Sequence, residues 1–147
     1  MRSDLYNAEG YPDPTARDAV AKVSKKEYHG TREFMPLVYI CSRYAPDEEH
    51  SVEDNIADAI RYSKFAIEQG CIPLASHLLY PQILSDEGEG RRLGLFFGSV
   101  WLDIAKEIWI FSDGGYDEYS KGMKAEFKQA RRKGYKIRYF TEDLVEV

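Results

Sequence analysis

A chain of 147 residues is one domain's worth and long enough to bury a core of its own. Its net charge of −5 argues against a nucleic-acid binder, which usually carries a basic excess, and no apolar run nears the roughly 20 residues a membrane helix needs. The polar start, Met1 to Gly10, lacks the apolar stretch of a secretory leader, so a cytoplasmic protein with neither nucleic-acid nor membrane partners is expected.

Residues 1–35 stand apart as an N-terminal extension. Asp13 is placed to cap a helix whose first residue is Pro14 and which runs through Ala16, Ala19, Val20 and Val23 to about Tyr28, with Gly30 as its stop. The apolar face of that helix is thin, so it should dock on the main body or on a second subunit. From Pro36 onward strands and helices alternate. Leu37 to Cys41 is a short apolar run rich in strand formers. Ser51 opens a helix, with Asp54 as its capping-box partner and Val52, Ile56, Ala59, Ile60, Ala66 and Ile67 at helical spacing; Gly70 ends it. Cys71 to Ala75 forms a second strand, which Pro73 places at a sheet edge. Residues 92–105 predict a helix with Leu93, Phe96, Phe97, Val100, Trp101 and Ile104 as its apolar positions. Glu107 to Phe111 is the third strand. Ser120 begins a helix with Met123, Phe127 and Ala130 inward, Gly134 stops it, and Lys136 to Phe140 is the fourth strand.

This order predicts an α/β domain over residues 36–147: three layers, flavodoxin- or Rossmann-like, around a parallel sheet of four to five strands. Ligands in such folds sit outside the carboxyl ends of the strands. The loops there are 42–50, 76–91 and 112–119, and they are rich in polar and aromatic residues. Ser42, Arg43 and Tyr44 follow the first strand, Ser76 and His77 follow the second, Arg91 precedes the long helix, and Asp113 follows the third strand. Arg43 is well placed for a phosphate clamp. His77 suits either a ligand contact or a structural role. Ser120 suits capping, ligand donation or both, and Gly122 in the first helical turn lets a ligand approach the backbone. Glu126 lies beside the buried stripe of its helix, where a carboxylate is costly unless it is paired or faces a pocket. Spacing alone favours a solvent-facing or ion-paired glutamate. No GxGxxG or GxxxxGK[ST] motif occurs, the three histidines lack ligand spacing, and Cys41 and Cys71 read as buried thiols, so no cofactor or metal is expected. Lys124, Lys128, Arg131, Arg132 and Lys133 read as a solvated face that complements the helix dipole.

Ser120-Lys121-Gly122-Met123-Lys124-Ala125-Glu126 resembles the S/D-x-G-x-x-x-E signature of the nucleoside 2-deoxyribosyltransferase-like superfamily, which includes 2′-deoxynucleoside 5′-phosphate N-hydrolases. The similarity extends over residues 36–143, through Val38 to Arg43, Asn55, Pro73 to His77 and Glu107 to Phe111, and is densest to a branch often encoded by phages and mobile elements. The resemblance implies that Glu126 attacks the anomeric carbon of a nucleoside and expels the base, as carboxylate nucleophiles do in retaining glycosidases. It implies that Tyr39 orients Glu126, that Ser120 and Gly122 meet the sugar or phosphate, and that Ser42 and Arg43 hold a 5′-phosphate. Tyr44, His77, Arg91 and Met123 complete the substrate-binding set, and the assembly is expected to be a homodimer or larger homo-oligomer. The chain departs from the family pattern at Ser99 to Trp101, where active members carry a second carboxylate. Asp103 and Asp113 are the nearest candidates for that acid. Without one, the alternative is a protein that binds a nucleotide as a sensor or sequestering device and leaves it intact.

Overall fold

The structure is a computed structural model, and residues 35–147 of it are described; the helix expected from Pro14 to about Tyr28 lies outside the described residues. Four strands, β1 (Leu37–Cys41), β2 (Ile72–Leu74), β3 (Glu107–Phe111) and β4 (Lys136–Phe140), form one sheet in the order β2-β1-β3-β4, with every pairing parallel. Four helices connect and cover them: α1 (Val52–Glu68), α2 (Tyr80–Ile83), α3 (Gly88–Ala105) and α4 (Lys121–Lys133). The order reverses between β1 and β3, so the chain's switch point lies where both strands end.

Residues along a strand point alternately to the two faces of the sheet, and this alternation builds the layers. Val38, Ile40, Trp109 and Phe111 face α1 and pack on Tyr62 and Ala66. The rings of Tyr62 and Phe111 stack with centroids 4.1 Å apart and planes 8° from parallel. Tyr39, Cys41, Ile108 and Ile110 face the other way, onto Leu102 of α3 and Met123 and Ala130 of α4. All four strands fall where the sequence places them, β2 at the edge as Pro73 requires. The Ser51–Asp54 capping box is present at α1. Gly134 closes α4 at φ +72, a left-handed conformation that glycine adopts without strain.

Two expectations need correction. In α1 the buried positions are Asn55, Ala59, Tyr62 and Ala66, and Ile60 points to solvent. Asn55 is almost fully buried because its amide donates to the carbonyls of Tyr44 (3.0 Å) and Ala45 (3.2 Å), fastening the loop after β1 to the helix. The larger surprise is α3, which starts at Gly88 instead of residue 92 and buries a different face. Its fully buried residues are Gly98 and Leu102, while Leu93, Phe96, Val100 and Ile104 are exposed, Phe96 by 62% and Ile104 by 57%.

The inner edge of α3 is a row of glycines, Gly90, Gly94 and Gly98, spaced by four residues and therefore on one helical face. A Cβ on Gly90 would lie 2.5 Å from the Ser85 carbonyl oxygen. One on Gly98 would lie 3.1 Å from both the Tyr39 hydroxyl and Ser76 Oγ, and one on Gly94 would touch Tyr80. The segment expected as a loop between residues 76 and 91 instead forms a turn of 3-10 helix (Ser76–Leu78) and α2, laid against this row.

Replacing Asn55 with alanine removes two hydrogen bonds from a buried amide and leaves two carbonyls without a partner. The expected cost is about 2–3 kcal/mol in chemical denaturation, because the loop carrying Tyr44 is released from α1.

Candidate functional site

A cavity of about 150 Å³ opens at the carboxyl end of the sheet, between the loop after β1, the 76–86 segment, the first half of α3 and the first turn of α4. It encloses a volume close to that of cavities that hold a single six-membered ring. Ser42, Tyr44, His77, Arg91, Ser120, Gly122, Met123 and Glu126 all line it, so most of the residues expected to bind or act on a ligand converge.

Glu126 projects from α4 toward β1. Tyr39 and Cys41 are two residues apart on β1 and therefore share the face that meets it. The Tyr39 hydroxyl donates to Glu126 Oε1 at 3.1 Å and shares a second hydrogen bond, 2.8 Å long, with Ser76 Oγ. With Glu126 ionised, Tyr39 gives it its only proton and Ser76 is the donor in the second bond. Burial pushes the Glu126 carboxyl up to about 7, and the hydrogen bonds from the Cys41 thiol and the Tyr39 hydroxyl hold it down against that cost. Burial, and next the charge of Glu126, push both Tyr39 and Cys41 well above their ordinary values, so both remain protonated donors. Glu126 is half-buried at the floor of the cavity, with no ion-pair partner among the described residues, and burial raises its carboxyl toward neutrality.

Around this floor the wall is polar and aromatic. Ser42 Oγ lies 3.2 Å from His77 Nε2, and burial pulls His77 down to about 4, so the imidazole is neutral at physiological pH. The Tyr44 ring stacks over His77 with centroids 5.9 Å apart. Ser120 caps α4, its Oγ accepting from the Met123 N–H at 3.3 Å, and faces the cavity as well. A Cβ on Gly122 would meet nothing within 4 Å. The fold therefore does not require glycine there, and the missing side chain leaves space in the cavity.

Three expected site residues lie elsewhere. Arg43 does not line the cavity: successive residues leaving a strand point to opposite sides, so Ser42 enters and Arg43 turns toward the carboxylates of Asp47 (3.7 Å) and Glu142 (3.8 Å). Asp103 ties α3 to α4 and to Tyr135, just before β4. Its carboxylate accepts from Lys133 at 2.6 Å, Tyr135 at 2.7 Å and Gln129 at 3.0 Å, and these bonds hold it down at about 2. Asp113 accepts the Glu142 N–H at 2.8 Å and fixes the chain after β4. Ser76, expected at this rim, and Lys121 of the Ser120–Glu126 stretch line the cavity too, and Tyr80, Asp86, Gly90 and Gly94 join it without having been anticipated. The fourfold glycine spacing was the visible signal for the close approach of two segments there. Among the described residues no cluster of histidine, cysteine and carboxylate side chains is able to hold a metal.

A carboxyl raised on folding destabilises the protein once pH climbs above its unfolded value. Below pH 4.5 Glu126 is neutral in both states and contributes nothing; between 4.5 and about 7 the unfolded chain ionises first, and stability falls. Glu126→Gln should therefore be more stable than the parent by roughly 2–3 kcal/mol at pH 8 and equal to it at pH 4, measured by urea denaturation at both values. A difference of the same size at both pH values would mean that the carboxyl is not desolvated.

Residues 36–140 match the model of one protein family, a domain of unknown function (DUF7768). No curated protein matches the chain.

Proposed function

The chain belongs to DUF7768, and from its cavity we propose that it cleaves or transfers the N-glycosidic bond of nucleosides or nucleoside 5′-monophosphates, with Glu126 as the nucleophile. The observation that carries this reading is the desolvated Glu126 carboxyl at the cavity floor, held by the Tyr39 hydroxyl and flanked by Ser120 and Gly122. A carboxylate stripped of water and oriented by a neutral donor is a better nucleophile than a solvated one, and the absent Gly122 side chain leaves room for a sugar ring beside it. Tyr39 takes the orienting role and His77, neutral, offers a hydrogen bond to the base or sugar. With Arg43 turned away, Arg91 and Lys121 are the cations left to meet a 5′-phosphate.

Chromatography of free base after incubation with each deoxynucleoside 5′-monophosphate is the direct test. Release is expected to rise with pH through about 7 as Glu126 ionises, and to fall by at least ~100-fold in Glu126→Ala. A bound nucleotide recovered intact would support the other reading, a binding protein that senses or sequesters its ligand.

The chain works as a homodimer or larger homo-oligomer. Leu93, Phe96, Val100 and Ile104 form an outward apolar stripe on α3, and Leu79 and Ile83 are exposed as well. Monomers rarely expose a contiguous apolar patch of this kind, and an apolar stripe is compatible with its own copy across a two-fold axis. Sedimentation of the full chain should give at least a dimer mass, and Phe96→Glu should reduce it to the monomer; a monomer at every concentration would refute the assembly.

A further inference from the structure

The Tyr39 hydroxyl makes two hydrogen bonds, and the one to Ser76 Oγ, at 2.8 Å, is shorter than the one to Glu126, at 3.1 Å. Ser76, Tyr39 and Glu126 thus form a chain from the turn after β2, through β1, to α4. The sheet brings Ser76 there. Leu74 pairs with Tyr39 in register, and Ser76 opens the 3-10 turn two residues later. Its carbonyl accepts the Leu79 N–H at 3.2 Å, which fixes the backbone of the turn. α3 closes over the pair with Gly98, where a Cβ would lie 3.1 Å from both hydroxyl oxygens. Among the described residues the Ser76 side chain hydrogen-bonds to Tyr39 alone.

The protons set the direction of this chain. An ionised carboxylate only accepts. With Glu126 charged, the Tyr39 proton therefore lies between the two, and Ser76 donates to the Tyr39 oxygen. With Glu126 protonated the chain can reverse, Glu126 donating to Tyr39 and Tyr39 to Ser76. A serine hydroxyl serves in both states because it donates and accepts. The two directions differ in strength. In the charged state Ser76 polarises the Tyr39 hydroxyl, and a charge-assisted bond gains more from that support than a neutral one.

We propose that Ser76 is a positioning residue: acting through Tyr39, its hydroxyl holds the Tyr39 proton on Glu126 and favours the ionised carboxylate. Its bearing on catalysis rests on the glycosyl-transfer reading; its effect on Glu126 does not. The other titratable and charged groups around the same floor and wall are Cys41 on β1, Tyr44 after it, His77, Tyr80 and Asp86 in the 76–86 segment, Arg91 on α3 and Lys121 on α4. None of them is hydrogen-bonded to Ser76. His77, pulled down to about 4 by burial, stays neutral while Glu126 titrates, and Cys41 keeps its proton. Ser76 also lines the cavity, so contact with a ligand is the competing use of its hydroxyl.

The test is a ligand-free titration of Glu126, followed by NMR of isotope-labelled glutamate carboxyls, with its resonance identified by its absence in Glu126→Gln. In Ser76→Ala the midpoint should rise by about half a pH unit. Tyr39→Phe should raise it further. Adding Ser76→Ala to Tyr39→Phe should then move it by less than about 0.2 unit, because the path from Ser76 to Glu126 is gone. Circular dichroism checks that each variant folds. An unmoved midpoint in Ser76→Ala, or an equal rise with and without the Tyr39 hydroxyl, would overturn the proposal. In base release from deoxynucleoside 5′-monophosphates, the Ser76→Ala pH profile should move up by the same interval, with KM within about twofold of the parent. A raised KM with an unmoved profile would make Ser76 a ligand contact instead. A parent protein that releases no base would remove the glycosyl-transfer reading, and the titration would still decide the role of Ser76.

Discussion

A carboxyl group taken out of water must be compensated by a partner, by hydrogen bonds, or by holding its proton. Among the described residues Glu126 has no ion-pair partner. Its compensation comes from two neutral donors, the Tyr39 hydroxyl and the Cys41 thiol, and from a proton affinity raised to about 7. Much of the local architecture follows from that arrangement. β1 must present residues 39 and 41 on the face toward α4, α4 must begin close enough for its second turn to reach them, and α3 must pass over the Tyr39 hydroxyl without a side chain, which Gly98 permits. A solvated glutamate would impose none of these conditions.

The strands and caps were legible because they rest on local signals. Short apolar runs rich in strand formers, the Ser51–Asp54 box and the Gly134 stop each act over a few residues, and each appears as read. The pairing of Tyr39 with Glu126 was legible only through the resemblance, since the two lie 87 residues apart. Arg43 was misplaced because its position in the sequence, directly after a strand, does not say which side of the chain it leaves by. Asp103 and Asp113 were misplaced for a different reason: both are acids near the right elements, but each is engaged by donors, Lys133 and Tyr135 for one and the Glu142 N–H for the other, that arrive from distant sequence. Asp86 enters the cavity wall only because the 76–86 segment folds back, and nothing in the sequence around it marks that.

The face of α3 was misread for a physical reason worth following. Hydrophobic periodicity assumes that the buried face of a helix is its greasiest face. In α3 the closest contact is made by Gly90, Gly94 and Gly98, where contact comes from backbone approach and not from side-chain bulk. The apolar side chains are thereby rotated outward. Among the described residues nothing covers Phe96 or Ile104.

These two faces serve different ends of one helix. Its inner, glycine-lined edge admits the segment that carries Ser76, His77 and Asp86 to the cavity, and its outer edge presents the apolar stripe. Arg91, Gly94 and Leu95 belong to the cavity wall and sit on the same helix as the stripe. An interface on the outer face would therefore restrain the same rod that positions the wall. A helix buried by side chains on its inner face would hold the 76–86 segment several ångströms farther from β1, beyond reach of the Tyr39–Ser76 hydrogen bond at 2.8 Å. The three glycines cost helix stability, roughly 1 kcal/mol each relative to alanine, and that cost is offset only where the close approach they allow assembles the site.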